Sequence, residues 1–171
     1  MAKAARPAFD LRTSLLRAFA TNNRIGCYLI ESIPAEAWAA EPPEGKGRSI
    51  SAIAAHIHNV RLMWLKAVGA AKLPAKLKPN ASAKEALKAF DESHQALAAV
   101  LSTAFESGQV KGFKPDAAGF LAYLIAHDAH HRGQMATLAR RLGHPISQSA
   151  MFGMWEWGSR AKEVQGSSDV Q

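Results

Sequence analysis

Four long stretches of this chain carry apolar residues at three- and four-residue spacing, each closed by proline or glycine, a rhythm that amphipathic helices satisfy and strands do not. The first predicted helix runs from Phe9 to Ser32, with Leu11, Leu15, Phe19, Leu29 and Ile30 on its stripe, and Pro34 closes it. Pro34 to Arg48, with Pro42, Pro43, Gly45 and Gly47, reads as a long connection. Ser49 or Ser51 then caps a second helix that reaches Val68, with Ile50, Ile53, Ile57, Val60, Trp64 and Val68 on one face. After a loop containing Pro74 and Pro79, Ser82 caps a third helix ending near Phe105. A fourth runs from Asp116 to Leu142, and Gly143 stops it.

Ala and Leu are plentiful and aromatic residues make up only 8% of the chain, which again favours helix over strand. The expected fold is therefore all-α, a four-helix bundle in one domain over residues 1–160. The aromatic segment Pro145 to Trp157 should add a short C-terminal helix, and residues 161–171 should form a disordered tail.

Charge and cysteine content narrow the class of function. Apolar runs such as Phe120 to Ala126 are too short to cross a bilayer, so no membrane role is expected. The one cysteine, Cys27, excludes an internal disulfide, and no secretory leader opens the chain, which points to the cytoplasm. Cys27 itself lies off the predicted stripe and reads as a small packing residue. The formal charge of +7 raises the possibility of a nucleic-acid partner. The lysines and arginines are spread over loops and helix faces without a basic arm, and a solvated basic surface is the better reading.

The seven histidines are the unusual feature, and helical wheels sort them. Each residue turns a helix by about 100°, so with Ile53 at the centre of the second helix's stripe, His56 lies about 60° to one side and His58 about 140° to the other. His56 can face inward; His58 is expected to face out. On the fourth helix, with Leu124 as centre, His131 lies about 20° and His127 about 60° away on the same side, and His130 about 120° away. His127 and His131 are thus neighbours one turn apart. Two imidazoles at i and i+4 with a third inward histidine on a facing helix form a candidate site for one divalent metal ion. His94 and His144 join no such group and read as surface or loop residues.

Polar residues near the stripes supply candidates for the surroundings. Asn22 lies about 20° from a stripe centred on Leu15, where it either bonds to a neighbouring helix or faces the metal cavity. Asp128, about 40° from the fourth helix's centre, either orients a ligand imidazole or pairs with a cation such as Arg61 or Arg132. Gln134 and Tyr123 are further candidates for contacts to the ligands or to substrate.

The runs HDAHHRGQM (His127 to Met135), LARRLGHP (Leu138 to Pro145) and SISAIAAHI (Ser49 to Ile57) resemble the DinB/YfiT-like family, and the MWEWG ending (Met154 to Gly158) is also similar to part of it. The resemblance implies a four-helix bundle with a three-histidine metal site, here His56, His127 and His131, holding zinc, nickel or a similar ion. It also implies a homodimer, and, among characterised relatives, transferases and isomerases that use small thiols.

Three imidazoles on zinc leave a position for water or thiolate, as catalytic sites do. The expected function is a metal-dependent enzyme acting on a small electrophilic substrate, with a low-molecular-weight thiol as possible co-substrate. The alternative is a non-catalytic, metal-stabilised, stress-associated protein. No Glu or Asp stands where a general base beside the histidine pair would be expected.

Overall fold

The computed structural model describes residues 9–168, and in it the first helix begins two residues after Phe9, where Asp10 accepts hydrogen bonds from the N–H groups of Arg12 and Thr13. This helix, α1 (Leu11–Ser32), ends as expected before Pro34. The connection that follows is more ordered than its prolines suggest. It contains a short helix α2 (Ala35–Ala39) and a 3₁₀ turn (Pro43–Gly45), anchored by the buried Trp38, whose indole N–H donates to Ala81 O at 3.0 Å.

Three further long helices complete the bundle. Ser49 caps α3 (Ile50–Val68), and Gly69 ends it in a left-handed conformation at φ 85°. A capping box between Ser82 and Glu85 starts α4 (Ala83–Ser107), and Asp116 caps α5 (Ala117–Arg141) through the Gly119 N–H. Two short helices follow, α6 (Gln148–Gly153) and α7 (Trp157–Ser168). No strand occurs among the described residues, and no helix there is long and apolar enough to cross a membrane.

Packing sets the order of the helices in space. α1 lies against α4 and α5, and α3 lies against α4 and α5 on the opposite side, so the four close into a ring in the order α1, α4, α3, α5. The expected tail is a correction, because residues 161–168 continue α7 along α1 rather than trailing away. Arg160 stacks on the Tyr28 ring at 4.1 Å, and Glu163 bridges Arg160 and Arg24, which holds the helix on the bundle. Residues 169–171 lie outside the described residues.

The core comes in two parts. One gathers Ile30, Trp38, Ile53, Ile57, Phe90, Met135 and Ala139; the other gathers Phe19, Leu65, Leu97, Leu101, Phe120 and Leu124. Between them runs a buried polar layer of Asn22, Asn23, Arg61, Ser93 and Asp128. Arg61 donates from Nη1 to Asn23 Oδ1, Ser93 Oγ and Phe90 O, and from Nη2 to Asp128 Oδ2 at 2.7 Å. A buried ion pair survives desolvation only when its spare hydrogen-bonding positions are filled, and these partners fill most of them.

Candidate metal centre

α3 and α5 are neighbours, and that adjacency brings His56 to the i,i+4 pair on α5. The ring centroid of His56 stands 5.4 Å from His127 and 4.6 Å from His131, and those of His127 and His131 are 4.5 Å apart. One nitrogen from each of the three rings lies within 4.8 Å of the others, close enough for a single ion to touch all three. The site sits beside the polar layer, at the level where α5 passes from one core to the other.

Each α5 histidine of the three has a polar neighbour. His131 Nδ1 is 2.8 Å from Gln134 Oε1, so Nδ1–H donates to the amide and Nε2 keeps its lone pair for an ion. The Gln134 amide in turn donates from Nε2 to the exposed His130 at 3.0 Å. Asp128 Oδ1 is buried without a hydrogen-bond partner among the described residues and lies 3.8 Å from His127 Nδ1, too far for a formed bond. Such an unpartnered buried acceptor fits a His127 ring that binds metal through one nitrogen and turns the other toward the carboxylate. The other carboxylate oxygen, Oδ2, accepts from Arg61 and from Asn22 Nδ2 at 2.8 Å, and Asn22 Oδ1 accepts from Arg132 at 2.9 Å.

The electrostatics favour neutral His56 and His131 and a charged Asp128 carboxylate. Burial lowers the His56 pKa to about 4, helped by the positive Arg48 and the other two histidines. Burial also lowers His131, against the opposing effect of its bond to Gln134. Burial alone raises the Asp128 pKa, but Arg61 together with the hydrogen bonds outweighs it and brings the carboxyl down to about 2.

The candidate residues named from the sequence divide as follows. His56, His127 and His131 converge, and Gln134 and Asp128 stand behind two of them. Asn22 takes the first of its two alternatives and bonds across to α5 rather than facing the site. Asp128 takes the second of its alternatives and pairs with Arg61, while its other oxygen stands 3.8 Å from His127 Nδ1. Tyr123 packs with Trp64 and Phe113, its ring 6.0 Å from His127, as part of an aromatic wall beside the site.

Three expectations need correction. His58 is fully buried, with Nδ1 at 2.8 Å from Ala89 O and Nε2 at 2.8 Å from Ala75 O, because α4 and the loop after α3 cover the flank that a single-stripe wheel assigns to solvent. His94 is not a surface residue; it stacks on Phe19 at 4.7 Å and burial lowers its pKa to about 4. Cys27 is buried rather than off the stripe, and burial raises its thiol pKa to about 12, which suits packing and not ligation.

Sequence reasoning passed over Asn23 and Ser93 and gave Arg61 only as one possible partner. The ladder Ile53, Ile57, Arg61, Leu65, at strict four-residue steps, carries the signal that Arg61 points inward. Compared with known proteins, the chain matches the sequence model of the DinB family over residues 3–157. No curated protein matches it.

Proposed function

The chain belongs to the DinB family, and from that premise we propose that it is a metal-dependent enzyme in which His56, His127 and His131 hold one divalent ion, zinc or nickel, for thiol transfer or isomerisation on a small electrophile. The observation that carries this reading is the convergence of three imidazole nitrogens within 4.8 Å from two helices. An ion bound there supplies a nucleophile at neutral pH by lowering the pKa of a water or thiol it binds.

The chain's own residues prepare for that chemistry. Burial keeps His56 and His131 neutral, so their lone pairs are available at physiological pH. Gln134 fixes the His131 ring by accepting at Nδ1, and Asp128 faces Nδ1 of His127. Arg61 and Asn22 keep Asp128 in place by binding its other oxygen. With three protein ligands, a fourth coordination position is left for water or a small thiol, which is how catalytic sites differ from closed structural ones.

A screen of zinc- and nickel-loaded protein against small thiols and electrophiles tests the reading. Turnover that disappears on chelation supports it. If cobalt-loaded protein shows no thiolate charge-transfer band with any thiol, and a fourth side chain completes the sphere, the metal is structural and the enzyme reading is lost.

A further inference from the structure

A groove of about 690 Å³ opens between the 42–48 segment and the C-terminal half of α5. Its polar rim is basic: Lys46, Arg48 and Arg141 line it, and among the described residues no aspartate or glutamate does. None of the three takes part in an ion pair among the described residues. Ile53 and Leu138 give it an apolar floor, so the volume and lining suit a small organic molecule rather than a loose ion.

The groove also adjoins the three-histidine site. Gln134 lines the groove and accepts from His131 Nδ1 at 2.8 Å, and Ile53 lies one turn before His56 on α3. The positive charge of Arg48 is felt at both His56 and His131. Unpaired guanidinium groups next to an apolar floor recognise carboxylate or phosphate groups, which they bind in a two-pronged manner.

We propose that this groove binds the anionic end of a small molecule bearing a carboxylate or phosphate group, so that Arg48 and Arg141 select substrates whose reacting end lies at the three-histidine site. The link to the reacting end rests on the metal-enzyme reading; the anion site itself does not. The cations also serve a second purpose, since a field of one sign in a groove draws the anion in and raises its local concentration.

Amide NMR titrations of the full chain, metal-free and zinc-loaded, test this with succinate, inorganic phosphate and, as the uncharged counterpart of succinate, succinamide. Succinate or phosphate is expected to shift amides of residues 46–48 and 133–141 in both forms, and the tighter of the two identifies the anion class. Succinamide is expected to shift none of them. The Arg48→Gln/Arg141→Gln double variant, altered only at exposed positions, is expected to weaken the anion by about tenfold or more, and His131→Ala to leave its affinity unchanged. In cobalt-loaded protein the succinate protons should broaden through proximity to the ion. Equal shifts with succinamide, or undiminished binding in the double variant, overturn the anion site. Binding confined to zinc-loaded protein and lost in His131→Ala puts the anion on the ion itself, which overturns the groove and leaves the metal reading standing. Groove binding in a protein that takes up no metal does the reverse. Absence of broadening in cobalt-loaded protein that binds succinate overturns the link between groove and site.

Discussion

Arg61 Nη2 donates to Asp128 Oδ2 at 2.7 Å in the centre of the bundle, with neither side chain more than 3% exposed. Removing one member leaves the other charge buried and uncompensated. Asp128→Ala is therefore expected to cost about 3–5 kcal/mol in urea unfolding, and Arg61→Met/Asp128→Leu far less than the sum of its single changes. A double variant as unstable as that sum would mean that the two charges are not coupled.

Elemental analysis should find about one divalent ion per chain in protein purified without chelator. His131→Ala is expected to lose it, because two ligands bind orders of magnitude less tightly than three. His130→Ala, at an exposed position outside the triad, should retain it. Gln134→Leu should keep the ion but weaken it by about 10–100-fold, the usual effect of losing a group that orients a ligand imidazole. Metal retained at full occupancy in His131→Ala would remove the site.

The stability of metal-free protein should fall with acid before its carboxylates titrate. His94 has an ordinary pKa of 6.5 and a folded value of about 4, so the unfolded chain binds the extra proton between these values. Its contribution is full above pH 6.5 and is lost as pH falls through about 4. His58, buried in the same sense, acts in the same direction. Urea midpoints across pH 4 to 7 should slope less steeply in His94→Phe than in the wild type; identical slopes would show that His94 is not held neutral.

The C-terminal segment docks through a close approach. A Cβ on Gly153 would overlap the Tyr28 ring, so Gly153→Ala has no room without displacing α6 or the tyrosine. The expected loss is about 1–3 kcal/mol, the range for overpacking a filled site. Chemical denaturation measures it, and an unchanged midpoint would show that α6 is free to shift.

A homodimer is expected from the aromatic side chains that the bundle leaves uncovered near its C-terminus. Phe152 and Trp155 remain 63% and 78% exposed on and just after α6. Light scattering at micromolar concentration should report twice the chain mass, and Phe152→Ser/Trp155→Ser should halve it. A monomeric wild type would dispose of the dimer.

Periodicity and capping signals made the four long helices legible, because an amphipathic stripe and an N-cap serine or aspartate are local facts of the chain. Ser82 and Asp116 mark the starts of α4 and α5 in sequence and in structure alike, and of the two candidate caps for α3, Ser49 and Ser51, the structure uses Ser49. The same logic picked out His56, His127 and His131, since two of them are tied by a single helical turn and the third lies near a stripe. The chain sequence also matches the DinB family over most of its length.

Tertiary structure decided what local periodicity could not encode. A wheel assumes one buried face, but α3 is enclosed by α4, by α5 and by the loop after it, so His58 is buried on a flank that a single stripe leaves to water. His94 is partly buried because α1 brings Phe19 against it, and α7 is held to Tyr28 and Arg24 through Arg160 and Glu163, contacts between residues far apart in the chain. The partners of Asp128 come from α1 and α3, and the basic groove forms only where the 42–48 segment crosses α5. Each depends on which helices become neighbours, and that is fixed by how several apolar faces bury one another at once.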